Sequence, residues 1–220
     1  MRRFSHWTPR YVWDRSLLAL RTRRRPEDPW LTAGAVAFLD QWLRPGDHAV
    51  EWGAGRSTGW LARRVAKLDS FEAGVEFGAF VGRSLRERGI ANVDLRVLEF
   101  DDSRTEEEIR QTEFHRQSAA LANNAYDFAL VDTSPRGLNA LLGIEKVRPG
   151  GLLAIDNIDW YLPAPPHVRP TPGMTRIPAG TPTSRYPNNA SWRKVADVLG
   201  SWRQYWTSDG VSMTAFFFKP

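Results

Sequence analysis

The feature that most constrains the fold is an alternation of two apolar patterns between residues 46 and 160. Short apolar segments, which predict buried strands, are followed by longer segments with the apolar spacing of a helix. We identify five strands in the sequences HAVEW, LDSFEA, NVDLRVLEF, YDFALVD and GLLAID. Strands that alternate with helices are typical of parallel sheets covered on both faces. The pattern therefore predicts an α/β fold with three layers around a parallel sheet.

The segments between and around these strands predict the remaining elements. The helical segments are STGWLARRVAK, EFGAFVGRSLRERG, RTEEEIRQTEFHRQSAALANN and RGLNALLGIEKV. The sequence RPGG at residues 148–151 predicts a turn before the last of the five strands. Thr32 is a candidate N-cap of an earlier helix, which ends before Pro45. After the alternation, SWRKVADVLGSW predicts a helix, and two strands around Asp209-Gly210 predict an antiparallel pair at the end of the sheet.

The length of 220 residues predicts one main domain with an N-terminal extension. We expect residues 1–45 to form a basic arm and cap helices, and residues 46–220 to form the main domain. Residues 162–190 hold eight of the fifteen prolines and have no apolar period. That segment therefore predicts a long loop, which in a compact domain is usually functional or disordered.

The positive charge of the chain lies in the N-terminal arm. Residues 1–25 hold eight arginines against a single acid, Asp14, so their net charge is +7. The whole chain has a net charge of +5, so the remainder carries −2. Basic arms bind nucleic acid or anionic lipid, whereas the simpler interpretation is a solvated helix.

The composition excludes several classes of function. The chain has no cysteine, which rules out disulfides, thiolate zinc sites and a cysteine nucleophile. No apolar run approaches the roughly 18 residues that a membrane span requires. The N-terminal arginines are not followed by the apolar region of a secretory signal, so we expect a cytoplasmic protein.

A glycine-rich turn, AVEWGAGRSTGW at residues 49–60, follows the first strand, where ligands bind in parallel α/β sheets. A phosphate-binding loop requires Lys and then Ser or Thr after its second glycine, and here Arg56 and Ser57 follow instead. A dinucleotide-binding turn requires glycine or alanine at the position of Thr58, so that match is partial. S-adenosylmethionine fits better, because Glu51 suits its ammonium group and would repel a pyrophosphate by about 1–4 kcal/mol.

Further acids follow the second and third strands. Glu72 comes about twenty residues after the turn, where an acid accepts hydrogen bonds from both ribose hydroxyls of NAD or of S-adenosylmethionine. Asp101 and Asp102 follow the third strand, where a side chain either reaches the adenine amino group or lies in solvent. The residues that we expect to bind the ligand are Glu51, Gly53, Gly55, Ser57, Glu72, Asp101, Asp102 and Asp132.

The segments EWGAGRST, YDFALVDTSPR and RPGGLLAIDN, in this order, resemble class I S-adenosylmethionine-dependent methyltransferases, in particular small bacterial ones similar to O-methyltransferases. The likeness covers residues 46–160, and WTSDGVSMTAFFFK resembles the closing hairpin of that fold. The resemblance implies a Rossmann-like sheet of seven strands with the last one antiparallel, and S-adenosylmethionine as the methyl donor. The sequence departs from the family pattern after Glu72, where residues 73–77 read AGVEF instead of a polar pair and an aromatic residue.

Polar side chains also end the fourth and fifth strands of the alternation. Asp132 ends the fourth strand, and Asp156 and Asn157 end the fifth, an oxygen set that suits Mg²⁺. The arrangement is similar to the metal site of catechol-type O-methyltransferases, which implies all three residues as ligands and a lowered pKa for a substrate hydroxyl. Alternatively these residues orient the donor or bond to loop backbone, and Asp132, Asp156, His115 or His167 is the base.

The sequence also restricts the acceptor. Cytosine C5 methylation requires a cysteine, and residues 132–135 read DTSP, without the Pro-Pro-aromatic motif of amino-directed nucleic-acid methyltransferases. We therefore expect transfer to a hydroxyl oxygen of a small molecule, with Asp132 and Asp156 as catalytic residues and without a nucleic-acid partner. A homodimer is compatible with the sequence, which does not determine the oligomeric state. Trp160 and Tyr161 either stack on a flat substrate or pack in the core. The alternatives are an NAD-dependent oxidoreductase and a non-catalytic binding protein with a methyltransferase-like fold.

Overall fold

The computed structural model describes residues 8–101, 103–169, 171 and 190–220. Asp102, which we expect to contact adenine, and most of the predicted loop over residues 162–190 lie outside the described residues. Within the described part of the chain, no helix has both the length and the apolar character that crossing a bilayer requires.

Seven strands of the described chain form one sheet in the order β3-β2-β1-β4-β5-β7-β6. Neighbouring strands pair in parallel except β7, which is antiparallel to both β5 and β6. The sequence expectation of a parallel α/β sheet that ends with an antiparallel strand is confirmed. The strands are β1 (His48–Trp52), β2 (Lys67–Glu72), β3 (Val93–Val97), β4 (Tyr126–Val131), β5 (Val147–Asp156), β6 (Arg203–Ser208) and β7 (Met213–Phe218).

Helices cover both faces of this sheet. One face packs under α2, α3 and α4, and the other under α6, α7 and α8. The helices are α1 (Pro9–Arg24), α2 (Ala33–Trp42), α3 (Arg56–Ala62), α4 (Val75–Glu87), α5 (Glu106–Arg110), α6 (Glu113–Ala119), α7 (Arg136–Lys146) and α8 (Ala190–Leu199), and a 3₁₀ turn spans Ile158–Trp160.

The N-terminal helix α2 is part of the core of the sheet. Its first turn is capped by Thr32, as the sequence predicts, because the hydroxyl accepts a hydrogen bond of 3.1 Å from Ala35 N. The Thr32 hydroxyl also lies 2.5 Å from that of Thr207 on β6. Phe38 of α2 contacts Phe216 of β7 with ring centroids 4.7 Å apart. These contacts fix the N-terminal segment against the antiparallel edge of the sheet.

Two sequence predictions of secondary structure are wrong. The polar segment at residues 104–124 is not one helix: Thr105 caps α5 and Thr112 caps the separate helix α6. A threonine hydroxyl that accepts from the backbone three residues later starts a new helix at each place. The RPGG turn lies instead within β5, where the register with β4 shifts and Gly150 has a φ of +76°. A local irregularity in a strand uses the same residues as a turn.

The packing of α4 on β3 leads to a stability prediction with an internal control. A Cβ added at Gly78 would lie 2.5 Å from Val97 Cγ2, whereas one at Gly82 would lie 3.6 Å from its nearest neighbours. We expect Gly78→Ala to lower the free energy of unfolding by about 1–3 kcal/mol through overpacking. Gly82→Ala should raise it by about 0.5–1 kcal/mol, since alanine favours the helix. Urea denaturation measures both, and equal effects would contradict this packing.

Candidate functional site

The alternation of side chains along the strands brings four acids to one face of the sheet. Ala49 of β1, Leu68 of β2, Phe128 of β4 and Ala154 of β5 pack in the cluster under α2 and α3. Side chains two or four residues further along each strand point to that same face. The four acids that follow this rule at the carboxyl ends of β1, β2, β4 and β5 are Glu51, Glu72, Asp132 and Asp156.

A cavity of about 750 Å³ opens at this edge of the sheet, which is within the usual range of ligand sites, about 300–1,000 Å³. Five of the residues that we expect to bind the ligand line it: Gly53, Gly55, Ser57, Glu72 and Asp132. The other lining residues come from the glycine turn and α3, from α4 and the residue after it, from the segment before α2, and from the end of β4. They are Pro26, Glu27, Trp30, Ala54, Arg56, Gly59, Phe77, Phe80, Val81, Ser84, Leu85, Arg88 and Thr133.

The turn contains two glycines, and the structure requires glycine at the first of the two positions but not at the second. Gly53 has a φ of +108°, and a Cβ there would lie 3.0 Å from the carbonyl carbon of Asp132, so both conformation and packing require glycine. A Cβ at Gly55 would meet only the Phe77 ring, at 3.8 Å. Packing therefore does not require glycine at position 55, and the backbone there faces open space beside the Phe77 ring. Thr58, which breaks the dinucleotide spacing, accepts a 2.9 Å hydrogen bond from Gly55 N and so holds the turn.

Glu51 lies beneath the turn and is fully buried. Its Oε1 accepts a hydrogen bond of 2.8 Å from Ser70 on the adjacent strand, while Oε2 has no hydrogen-bond partner. Burial raises the pKa of Glu51 to about 7, and the hydroxyls of Thr58, Ser70 and Ser57 only partly oppose this. Burial therefore disfavours the ionised form of Glu51, whereas a positive charge placed nearby would favour it.

Glu72 ends β2 and reaches the cavity directly. Its Oε1 accepts a hydrogen bond of 2.7 Å from Gly74 N, which fixes the carboxyl group at the start of α4. Burial raises the pKa of Glu72, and the backbone N–H groups of Gly74, Ala54 and Ala73 oppose the rise. A carboxyl group that is oriented by backbone and open to the cavity is suited to accept hydrogen bonds from a ligand.

Arg136 lies at the centre of the polar group that follows β4 and β5. One of its nitrogens, Nη2, donates to Asp132 Oδ1 at 2.7 Å and to Asn157 Oδ1 at 3.1 Å. Burial raises the pKa of Asp132, and Arg136 opposes this by favouring the carboxylate. The Asp132 side chain is still 28% exposed, because the cavity opens onto it.

Asp156 is buried behind this group and does not line the cavity. Its Oδ1 accepts a hydrogen bond of 2.6 Å from the Thr214 hydroxyl on β7. Burial raises the pKa of Asp156 well above its ordinary range, and the nearby Asp132 raises it further. With 3% exposure and a hydrogen bond to Thr214, this carboxyl group holds β5 and β7 together and does not reach the cavity.

The expected Mg²⁺ ligands do not fit a metal ion in this arrangement. The guanidinium of Arg136 lies between Asp132 and Asn157, where the ion would have to bind, and Asp156 is engaged with Thr214. Among the residues that the structure describes, no three His, Cys, Asp or Glu side chains are grouped so as to hold a metal ion. Arg136 supplies the positive charge at this place instead.

Other candidate residues lie away from the cavity. Asp101 is exposed and accepts a 2.9 Å hydrogen bond from Ser103 N, which stabilises a turn. The hydroxyl of Ser103 and then its N–H lower the pKa of Asp101. His115 is partly buried on α6, and His167 is exposed. Tyr161 stacks on Trp192 of α8 with ring centroids 4.5 Å apart and is 4% exposed, so it packs in the core.

The sequence reasoning missed the wall of the cavity opposite the glycine turn. Trp30, Phe77 and Phe80 are 69%, 46% and 58% exposed, and all three line the cavity. Phe77 and Phe80 stack with centroids 6.3 Å apart, and the guanidinium of Arg56 lies 5.1 Å from the Trp30 ring. The spacing of the two phenylalanines by three residues on a helix was the available signal. Exposed aromatic side chains at a cavity are suited to contact a flat or apolar ligand.

No protein-family model and no curated protein sequence matches the chain. Several solved structures are similar in fold. An S-adenosylmethionine-dependent methyltransferase from Aquifex aeolicus is 15% identical, covers 93% of this chain and 97% of its own, and has a TM-score of 0.51. An rRNA methylase from Streptococcus thermophilus is 13% identical over 83% of this chain and 92% of its own, with a TM-score of 0.50. A precorrin 8w decarboxylase from Methanobacterium thermoautotrophicum is 16% identical over 89% and 94%, also at 0.50.

The strand order and these similarities define the fold as the Rossmann-like fold of class I S-adenosylmethionine-dependent methyltransferases. The sequence resemblance to class I S-adenosylmethionine-dependent methyltransferases is therefore confirmed at the level of the fold. A shared fold does not determine the reaction or the acceptor, which depend on the residues of the site.

The buried Glu51 leads to a prediction about stability and pH. Its pKa is about 7 in the folded chain against an ordinary value of 4.5, so the folded state holds the proton more tightly than the unfolded state. Its contribution to stability is therefore fully present below about pH 4.5 and is lost, to the extent of about 3 kcal/mol, as the pH rises to about 7. The variant Glu51→Gln lacks this loss.

We expect the stability of Glu51→Gln relative to the wild type to increase between about pH 5 and about pH 8 in the ligand-free protein. Chemical denaturation at the two pH values measures the change. Glu76→Gln, which alters an exposed acid on α4, is the matched control and should show no such increase. A difference between wild type and Glu51→Gln that is independent of pH would contradict the raised pKa.

Proposed function

We propose that the chain transfers the methyl group of S-adenosylmethionine to a hydroxyl oxygen of a small molecule. The observation that carries this proposal is one cavity that the glycine turn, Glu72 and Asp132 line together, with the buried carboxyl group of Glu51 beneath the turn. These are the features that a ligand with an ammonium group, a ribose and a reactive methyl group requires. The fold supports the same class of enzyme.

In this proposal the turn from Gly53 to Ser57 holds the methionine part of the donor. The open space at Gly55 lets the donor approach the backbone, and Glu51 supplies negative charge for the donor ammonium group. Glu72 accepts hydrogen bonds from the ribose hydroxyls. The same charge on Glu51 disfavours NAD, because a pyrophosphate at the turn would be repelled.

Asp132 is the base that we assign. Of the four candidates drawn from the sequence, Asp132 lines the cavity, whereas Asp156 is behind it and the two histidines are elsewhere. The donor supplies an electrophilic methyl group, so that the acceptor oxygen forms a bond to carbon as the bond from sulfur to carbon breaks. Asp132 takes the hydroxyl proton, and Arg136 keeps that carboxylate in place. Positioning of this kind lowers a barrier by about 7–11 kcal/mol.

The first test is binding of the donor product, S-adenosylhomocysteine, by titration calorimetry. We expect the wild type to bind and Glu72→Ala to lose affinity by about tenfold or more, because a charged acceptor of ribose hydrogen bonds is removed. Glu76→Ala, an exposed acid four residues along the chain, is the matched control and should bind like the wild type.

Two results would contradict the proposal. One is the absence of heat with millimolar S-adenosylhomocysteine. The other is stabilisation by NAD and not by S-adenosylhomocysteine in a thermal melt, since the ligand that binds the folded state raises the melting temperature. The second result would favour the oxidoreductase that the glycine turn alone also permits.

A further prediction concerns metal ions. Because Arg136 lies between Asp132 and Asn157, we expect neither Mg²⁺ nor a chelator to change the affinity for S-adenosylhomocysteine. Parallel titrations with added Mg²⁺ and with a chelator check this. A clear loss of affinity in the chelator would show that Arg136 moves aside and that the carboxylates bind a metal ion.

A further inference from the structure

The inner face of α1 is fixed to the rest of the chain. Asp14 is buried and forms an ion pair and hydrogen bond with Arg169. Arg21 donates to Leu31 O at 3.3 Å and to Asp28 Oδ2 at 3.2 Å. These two contacts hold α1 along one line of the helix, and the neighbouring line faces outward, because its side chains are exposed.

The outward side of α1 carries a stripe of large apolar side chains. Trp13, Leu17 and Leu20 follow one another at intervals of four and three residues, which places them on the same side of a helix. They are 65%, 48% and 44% exposed. Three large apolar side chains held in water along one helix face mark an interaction surface rather than scattered surface residues.

The surroundings of this stripe are positively charged. The single acid in α1 is Asp14, which is buried and paired, so the outward side has no negative charge from the helix itself. The exposed cations of α1 and its C-terminal end are Arg10, Arg15, Arg23, Arg24 and Arg25. A partner for this side must therefore offer negative charge at its surface and apolar material just below it.

We propose that the outward side of α1 is a docking surface for an anionic lipid membrane, on which the helix lies flat. An apolar stripe with tryptophan, flanked by arginine, is the composition of helices that bury one side in the boundary between headgroups and acyl chains. The arginines meet the lipid phosphates, and Trp13, Leu17 and Leu20 enter the apolar layer. The helix spans sixteen residues and carries many charges, so it rests on the bilayer and does not cross it.

The apolar stripe favours lipid over RNA as the source of the phosphates. In an RNA complex, arginines bind the phosphates and aromatic rings stack on the bases. Leu17 and Leu20 would contribute to neither of these contacts. Burial of both leucines and Trp13 in a membrane removes their apolar surface from water. This inference does not depend on the proposed methyl transfer, since none of these residues lines the cavity.

The test is sedimentation of the full chain with vesicles of phosphatidylglycerol mixed equally with phosphatidylcholine, and with vesicles of phosphatidylcholine alone. We expect binding to the anionic vesicles, weakened by salt, and little binding to the neutral ones. The combined variant Trp13→Ala, Leu17→Ala, Leu20→Ala should partition into the anionic vesicles at least about tenfold less. Val198→Ala, which alters an exposed apolar residue of α8, is the matched control and should bind like the wild type.

A second measurement locates the contact. Brominated lipids quench tryptophan fluorescence on contact, and Trp13→Phe keeps an aromatic ring while removing that fluorophore. We expect the variant to lose part of the quenching seen in the wild type while binding the vesicles equally well. A thermal melt and titration with S-adenosylhomocysteine should be the same for the wild type and the alanine variant, so loss of vesicle binding is not explained by unfolding or by a changed donor site.

Three results would overturn the proposal. No binding to anionic vesicles would do so directly. Binding that falls on Arg23→Ala, Arg24→Ala but is indifferent to the apolar substitutions would identify a surface for polyanions, which a single-stranded RNA probe would then bind. A wild type that is dimeric in light scattering and an alanine variant that is monomeric would show that a second copy of the chain covers α1.

Discussion

The parallel pairing of β1 with β2 and β4 is the constraint on which the rest of the site depends. The register places Glu51 beside Ser70 on one neighbour and Leu130 on the other. Because side chains alternate with a period of two, a slip of one residue would turn Glu51 toward the opposite face, where Trp52 and Phe71 pack together. The apolar cores on both faces thus hold the acid under the glycine turn.

The same pairing has a cost, because it takes a carboxyl group wholly out of water. The hydrogen bond from Ser70 satisfies one oxygen, and the other has no hydrogen-bond partner. Burial of an acid in this way destabilises its charged form. An apolar residue would pack in this place without that penalty. A buried carboxyl group with an unsatisfied oxygen beside a cavity is typical of a functional site. At such a site a bound ligand supplies the interaction that the carboxyl group lacks.

The sequence predicts the sheet well because the apolar periods indicate which side chains are buried. The carboxyl ends of parallel strands also necessarily meet at one edge of the sheet. For the same reason Glu72 and the turn glycines lie at the cavity edge of the sheet, although their role there stays a prediction. Asp101 could not be placed in this way, since β3 ends at Val97 and the following residues obey no period. Asp156 has the expected position, but only the pairing of β5 with β7 brings Thr214 to its carboxyl group.

Arg136 shows why contacts across elements are harder to predict. It stands at the first position of α7, and its guanidinium joins the ends of β4 and β5. The sequences of β4 and β5 do not predict where the helix between them begins. From the sequence alone, side-chain oxygens that bind a metal ion therefore cannot be distinguished from side-chain oxygens that bind an arginine. Trp30 is a similar case, because it reaches the cavity from a segment that precedes the sheet altogether.

The segment that carries Trp30 also connects the apolar stripe of α1 to the aromatic wall of the cavity. Residues 25–31 follow α1, and the hydrogen bond from Arg21 to Leu31 O fixes their far end. At the cavity, Glu27 of this segment pairs with Arg63 and Arg88. Exposed ion pairs of this kind contribute about 0–1 kcal/mol each, so the segment depends on several weak contacts together. Deletion of α1 would remove Arg21 and disturb the cavity as well as the apolar stripe. Substitution of Trp13, Leu17 and Leu20 alters the stripe but keeps Asp14 and Arg21. Such variants therefore separate what α1 contacts outside from what it holds in place inside.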